Sequence, residues 1–413
     1  MGCKLNYSET TAMGRLLEAE GFDKVEFEDL ADVYVINTCS VTENADKECR
    51  QLVRRIQRKA PEALVVISGC YAQLKPKEIA AIPGVDLVLG ASEKFNIAGH
   101  LKEMSKGDST KICSCDIDDV NSFVPSHSIS GRTRIFLKVQ DGCDYNCSFC
   151  TIPLARGRSR SNSIEKVLQD IEQIAEEGAK EIVLTGINLG DFGKINGTEG
   201  RKEENFHDLL EAIEKNSRVE RFRISSIEPN LLESRTIELV AGSGKIMPHF
   251  HIPLQSGSNK ILASMRRRYK RELYAEKIAL IKELMPHCGI GVDVITGFPG
   301  ETEEDFAETA SFISELEVSY LHVFTYSERD NTLAKDIKPS VPIALRNERT
   351  KILRNISYLK QQQFTNKHIG EIRKVLFEGK NKSGMMEGYS DNYIRVETPY
   401  RQEWENQIID WKI

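Results

Sequence analysis

At 413 residues, with 40% hydrophobic and 29% charged side chains, the chain is too long for one ordinary core and calls for two or three domains. No run approaches the length of a membrane span, the start Met1-Gly-Cys-Lys-Leu-Asn has no apolar signal region, and ten cysteines in so long a chain do not make a secreted disulfide scaffold. Metal ligation in a reducing cytoplasm is the expected use of the thiols, and the net charge of −6 means that an RNA partner must be met by local basic patches.

The first third alternates helix and strand. A helix is predicted over Ser8–Glu20, with Cys3 ahead of it. Val33-Tyr-Val-Ile-Asn-Thr-Cys39 reads as a buried strand ending in a cysteine, followed by a helix from about Val41 to Lys59. Leu64-Val-Val-Ile-Ser-Gly-Cys70 repeats the design. Such units predict a doubly wound α/β sheet whose strand-end loops converge on one crevice, where Cys3, Cys39 and Cys70 can meet and hold a cluster. The alternative reading is three small buried hydrophobes. Cys49, on a charged helix, reads as structural. The Ser- and Asp-rich stretch from Ser105 to Ser130, with Cys113 and Cys115, reads as an interdomain linker.

Beyond it, strands are predicted at Ile135–Val139, Ile182–Thr185, Arg221–Ser225, His249–Leu254, Gly291–Thr296 and Leu321–Thr325. Helices alternate with them at Ser163–Glu176, Phe206–Asn216, Leu231–Ala241, Leu273–Met285 and Glu303–Glu315. Six successive β-α units imply a parallel sheet with helices packed outside. The run Gln140-Asp-Gly-Cys-Asp-Tyr-Asn-Cys-Ser-Phe-Cys follows the first strand, at the mouth where barrel active sites lie. Its C-x3-C-x2-C spacing supplies three thiolates, Cys143, Cys147 and Cys150, whereas a closed zinc site or a fully ligated cubane needs four ligands. Cys288, at a helix end, reads as inert. From about Lys367 the strand signals Arg373–Glu378, Tyr393–Thr398 and Gln407–Trp411, with Gly379, Gly384 and Gly388 in turns, suggest a small all-β unit.

The cysteine spacing, with the aromatic Phe149 before the last thiol, resembles the radical S-adenosylmethionine (SAM) enzymes, and six β-α units match their partial (β/α)6 barrel. Gly2-Cys-Lys-Leu-Asn, Asn37-Thr-Cys-Ser-Val-Thr-Glu-Asn-Ala45 and Gly69-Cys-Tyr-Ala-Gln73 resemble the N-terminal domain of the methylthiotransferase family. Arg156-Gly-Arg-Ser-Arg160, His251-Ile-Pro-Leu-Gln-Ser-Gly257 and Gly297-Phe-Pro-Gly-Glu-Thr302 resemble its barrel. The C-terminal region resembles its small β-barrel RNA-binding (TRAM) domain.

The resemblance covers nearly the whole chain. It implies a methylthiotransferase domain over 1–104, a linker over 105–130, a radical SAM core over 131–366 and a TRAM-like domain over 367–413. It further implies two 4Fe–4S clusters, an auxiliary one on Cys3, Cys39 and Cys70 and a SAM-binding one on Cys143, Cys147 and Cys150. One SAM would serve as methyl donor and a second would yield a 5′-deoxyadenosyl radical. An external one-electron donor such as flavodoxin or ferredoxin is required.

The lettering around Cys3 and Cys39 resembles the branch that places methylthio on carbon 2 of N6-threonylcarbamoyladenosine at position 37, in the anticodon loop of tRNA. The alternatives are N6-isopentenyladenosine in tRNA or an aspartate of ribosomal protein S12. Outside the enzyme class, the rivals are a non-catalytic metal- and RNA-binding protein and an electron carrier. In the family a strand precedes the first cysteine motif, and here only Met1 and Gly2 do. The chain stops at Trp411-Lys-Ile413 within a predicted strand. Clipping at both ends, with a loosened Cys3 loop, is therefore expected.

For SAM or substrate, candidate contacts are Thr185, Gly186 and Asn188 after the second strand, Ser225, Ser226 and Glu228 at the end of the third, Gln255 after the fourth and Asp293 on the fifth. Each is also readable as a strand-end cap. His249 and His251 share one side of their strand. Arg156, Arg158 and Arg160, beside the cysteine loop, are the candidate RNA contacts. The runs Arg50, Arg54, Arg58 and Arg266–Arg271 read as solvated helix faces. Tyr389 or Tyr393 would add base stacking.

Overall fold

The structure, a computed structural model, describes residues 2–40, 43–128, 133–194 and 204–413. The predicted helix start at Val41 and the linker's boundary with the core, 129–132, lie outside the described residues.

The helix Lys4–Ala19 begins four residues earlier than predicted. Four parallel strands, Val33–Thr38, Leu64–Gly69, Leu87–Leu89 and Lys111–Cys113, follow one another in space in chain order. The two central strands are buried on both faces, as parallel strands are, while Lys111–Cys113 lies largely exposed at the edge. Met13, Ile97 and Leu101 cover one side, and Val53, Ile56 and Ile79 the other. The order of these four strands does not reverse, so a switch-point crevice is not what gathers the cysteines. Register does that: Thr38 pairs with Gly69, so Cys39 and Cys70 leave adjacent strands at the same level. Lys111–Cys113 corrects the linker expectation. Its Ile112 pairs with Val88 as the sheet's last strand.

The core contains six parallel strands in chain order: Arg134–Lys138, Glu181–Thr185, Arg221–Ile224, His249–His251, Gly289–Thr296 and Tyr320–Thr325. Continuous ladders join the first three and the last three. Between the halves only single bridges form, Phe222 with Ile246 and Ser226 with His251. The barrel is thus partial. Its helices start where local chemistry says they should. Ser163 caps Ile164–Glu176, and Asn205/Asp208 and Thr302/Asp305 form capping boxes on Phe206–Asn216 and Glu303–Glu315. Each cap contributes about 1 kcal/mol. Helix Ser234–Gly242 starts three residues later than predicted. The helix Ile343–Lys367, packed on the last strand, had no sequence prediction.

The C-terminal unit is a four-stranded antiparallel sheet ordered Arg395–Pro399, Met385–Ser390, Ile372–Lys380, Ile408–Lys412. It closes on Val375, Phe377 and Met386 with Trp404 and Trp411. Of the three glycines expected in turns, only Gly384 (φ 82°) occupies one. Gly379 and Gly388 lie within strands. Gly388 is where a side chain would strike Val375, and Gly379 sits in the register shift between Phe377 and Lys380.

Candidate active site

The loop after the first barrel strand brings Cys143, Cys147 and Cys150 together at the mouth. Tyr145 N–H donates to Cys143 Sγ and Ile152 N–H to Cys150 Sγ, each at 3.4 Å. Arg267 Nη1 donates to Cys147 Sγ at 3.2 Å and its other arm pairs with Glu228. Burial pushes the Cys143 and Cys150 thiols up to about 12. Holding all three as thiolates therefore needs a neighbouring cation, as a bound metal would supply. The half-buried Phe149 packs edge-on against Phe298, 6.5 Å between centroids, and anchors the loop.

The second triad is assembled from three segments. A Cβ at Gly2 would lie 3.0 Å from Cys39 Cβ, and Cys3 and Cys70 feel each other electrostatically. Asn6 Nδ2 donates to Thr38 O at 2.8 Å and Asn37 Nδ2 to Asn6 O at 3.0 Å, tying the Cys3 turn to the Cys39 strand end. Gly69, at φ 96°, lies so close to Thr38 that a Cβ would sit 2.3 Å from its carbonyl oxygen. Only glycine permits this approach.

Between the triads runs a buried ionic network. Glu9, fully buried, takes Arg156 at 3.0 Å, Lys94 at 2.7 Å and Lys138 at 3.3 Å. Asp141 takes Arg156 at 3.0 Å and Arg160 at 3.3 Å. Burial opposes both charges, yet the cations hold both carboxyls below their ordinary range, Glu9 well below. Four cations face two carboxylates, an excess of two positive charges. Burial pushes the Cys70 thiol up, and the positive charge of Arg156 opposes that rise only in part.

This corrects the RNA assignment. Arg156 and Arg160 are buried and ion-paired, Arg160 also donating to the Arg156 and Arg158 carbonyls, and of the three only Arg158 faces solvent. Tyr389 and Tyr393 are likewise occupied. Arg134 stacks on Tyr389 at 4.1 Å, and Tyr393 stacks on His249 at 4.3 Å. Cys49 and Cys288 are core residues, as read.

The remaining candidates separate by what they touch. Thr185 hydroxyl donates back to Val183 O at 2.9 Å and is engaged within its own strand. Gly186 lies against Gln140: a Cβ there would sit 2.9 Å from Gln140 Oε1, which accepts the Ile187 and Asn188 N–H groups at 2.9 Å. Gln140 also donates to Gly142 O and Ser159, knitting strand end to cysteine loop. It was missed because a lone glutamine carries no motif signal. Asn188 Nδ2 and Ser225 Oγ are buried without a partner, the kind of atoms a bound ligand satisfies. Gln255 adopts φ 67°, and its backbone bridges to Val294. Arg267 sits in a run read as solvated, yet its side chain is 4% exposed.

Deeper in the barrel, a cavity of about 350 Å³ is walled by Cys3, Lys4 and Tyr7 from the N-terminal helix, by His249, His251 and His322 from the strands, and by Tyr393 from the C-terminal sheet. Both histidines of the fourth strand face it, as their spacing implied. His249 Nε2 meets Tyr320 OH at 2.8 Å. His251 meets Asp293 at 2.7 Å and Ser226 at 3.0 Å.

A partial parallel barrel with a three-cysteine loop at its mouth defines a radical SAM enzyme. The sequence matches the Radical SAM superfamily over residues 137–313 and the uncharacterized protein family UPF0004 over 1–90. It is 39% identical to the threonylcarbamoyladenosine tRNA methylthiotransferase MtaB of Bacillus subtilis, over 100% of this chain and 92% of that protein. To the Aquifex aeolicus protein of the same name it is 39% identical, over 96% and 94%. It is 32% identical to the tRNA-2-methylthio-N(6)-dimethylallyladenosine synthase of Staphylococcus epidermidis, over 100% and 81%. Among solved structures, the radical SAM methyltransferase TsrM of Kitasatospora setae, with cobalamin and a 4Fe–4S cluster bound, shares the fold. Its TM-score is 0.56 at 16% identity, over 79% of this chain and 73% of that one. The chain belongs to the radical SAM methylthiotransferase family, whose cofactors are SAM and iron–sulfur clusters.

Proposed function

We propose that this enzyme transfers methylthio to carbon 2 of N6-threonylcarbamoyladenosine at position 37 of tRNA, the substrate named for its relatives at 34–39% identity. The carrying observation is the adjacency of the two cysteine triads. The helix Ile152–Arg156, which leaves the mouth loop, packs on the helix that begins at Cys70, and Arg156 reaches the Cys3 side. In this reading Cys143, Cys147 and Cys150 hold the SAM-binding cluster and Cys3, Cys39 and Cys70 the auxiliary one. When bound, these groups supply the electron for reductive SAM cleavage and the sulfur that is transferred.

The protein's own work is placement. Backbone N–H donors and Arg267 steady the mouth thiolates. The buried cations around Glu9 hold the N-terminal domain against the barrel, so that the two sites keep a fixed separation. Asn188 and Ser225, orphaned at the strand ends, are the SAM or substrate contacts this reading favours, and Arg158 is the one cation of its group left for RNA. An external one-electron donor is needed. The reaction belongs in the cytoplasm with its tRNA, in keeping with described helices none of which is long and apolar enough to cross a membrane.

The test is nucleoside mass spectrometry after incubating the reconstituted enzyme, SAM and reductant with threonylcarbamoyl-tRNA, isopentenyl-tRNA or ribosomal protein S12. Methylthiolation of the first alone is expected. Comparable product from either of the others overturns the substrate assignment.

A further inference from the structure

We infer that Lys4 is the specificity-determining cation of this enzyme: it stands in the barrel cavity to take the threonyl carboxylate of the modified adenosine. The inference rests on the threonylcarbamoyladenosine reading and adds to it the group that recognises the anion.

The argument is one of elimination inside the cavity. Three cations border it: Lys4, Arg134 and Arg223. Arg134 is paired with Glu378 at 2.7 Å and stacked on Tyr389. Arg223 is paired with Glu181 at 2.8 Å and donates to the Ser390 and Asp391 carbonyls at 2.6 and 2.8 Å. Both are building material between barrel and C-terminal sheet. The ammonium of Lys4, among the described residues, has no ion-pair or hydrogen-bond partner. Lys4 keeps accessible surface and lines the cavity.

Asp293 is felt at Lys4 but makes no ion pair with it among the described residues, so the ammonium is left able to take an anion that a ligand brings. N6-threonylcarbamoyladenosine brings one, the α-carboxylate of its threonyl group, and a dimethylallyl group brings none. The cavity, about 350 Å³, is in the range of small-molecule sites, ~300–1,000 Å³. The position is also right for chemistry. Lys4 directly follows Cys3, about 3.8 Å from Cα to Cα, so a carboxylate held there sets the rest of the nucleoside beside the inner triad.

A metal is the competing occupant, since His251, Asp293 and His322 offer ligand atoms within 4.8 Å of one another. Both ring nitrogens of His251 are already engaged, by Asp293 and Ser226, and Lys4 adds positive charge to the same space. The cluster therefore reads as a polar wall. Asp293 remains able to accept from the ureido N–H or threonyl hydroxyl.

The test compares two anticodon stem-loop RNAs, one with threonylcarbamoyladenosine and one with its threonyl carboxylate converted to carboxamide, on the reconstituted wild-type, Lys4→Met, Lys4→Gln and Lys4→Arg enzymes. The readout is the ratio of kcat/KM for the two RNAs within each enzyme, which cancels partial loss of clusters. Wild type and Lys4→Arg are expected to prefer the carboxylate roughly ten- to a hundredfold, the size of a charge-assisted hydrogen bond. Lys4→Met and Lys4→Gln are expected to lose the preference, to within about threefold of unity on the same scale. A wild-type ratio near unity, or a preference that survives in Lys4→Met or Lys4→Gln, overturns the assignment while leaving the substrate reading intact. Failure of wild type to methylthiolate either RNA overturns the substrate reading itself, and this inference with it.

Discussion

Glu9→Gln strikes the centre of the buried network. The carboxylate is fully buried and accepts Arg156, Lys94 and Lys138 between 2.7 and 3.3 Å. Glutamine keeps the shape but turns an N–H₂ toward those donors and leaves Asp141 as the network's one carboxylate against four cations. Removing one partner of a buried ion pair costs about 3–5 kcal/mol. Because Lys94 and Lys138 come from opposite sides of the domain junction, the loss should appear as opening of the helix Lys4–Ala19 from the barrel. Native-state hydrogen exchange reads this directly. At the lower figure, about 3 kcal/mol, protection in that helix falls about 150-fold. Helix Arg271–Leu284, far from the network, serves as internal reference and should keep its protection. Glu20→Gln, which breaks only the exposed pair with Lys102, should change protection by less than about threefold. A Glu9→Gln effect no larger than that of Glu20→Gln would refute the account of how the domains are joined. The pH dependence has a definite sign. Both Glu9 and Asp141 are depressed below their ordinary values of 4.5 and 3.8, so their contribution is complete above those values and drains away as pH falls through the lower folded ones.

Replacing Cys143, Cys147 or Cys150 by alanine should abolish reductive formation of 5′-deoxyadenosine, whereas Cys39→Ala or Cys70→Ala should spare it and abolish methylthio transfer. High-performance chromatography of both products decides, and SAM cleavage persisting in the first group would reverse the assignment. Gly69→Ala, whose Cβ would sit 2.3 Å from Thr38 O, should push the Cys39 and Cys70 strand ends apart. Iron should then fall from about eight to about four per chain, the loss of one cubane; an unchanged iron content would show that the inner triad tolerates the shift. Arg267→Met removes the cation 3.2 Å from Cys147 Sγ. The reduced cluster carries more negative charge than the oxidised one, so its potential should drop by about 60 mV, one charge-assisted hydrogen bond weakened by about 1.4 kcal/mol. A potential that rises on spectroelectrochemical titration would contradict this.

Local pattern was enough for the barrel. Its six strands and five of its helices are legible because apolar runs and capping residues such as Ser163, Asn205 and Thr302 are set within a few positions of chain. The mouth triad was equally legible, three thiols within eight residues. Misreadings arose where a neighbour distant in sequence decides. Lys111–Cys113 looks like linker because Lys, Ile and Cys make no strand signal; it is a strand because Leu87–Leu89 presents an unpaired edge. Arg156 and Arg160 look like an RNA patch because arginines are usually solvated; they are buried because Glu9 and Asp141 arrive from elsewhere to pair with them.

Sequence by itself determined the kind of chemistry, since thiolate number and spacing are covalent facts that no packing can change. Tertiary structure decided which charges remain for a substrate. Fifty-six lysines and arginines are indistinguishable as letters, and a charge becomes available only when folding brings it no partner. Arg156 and Arg134 received carboxylates across domain junctions, Arg223 received Glu181 from the neighbouring strand, Arg267 received Glu228 and a thiol, and Lys4 was left lining the cavity.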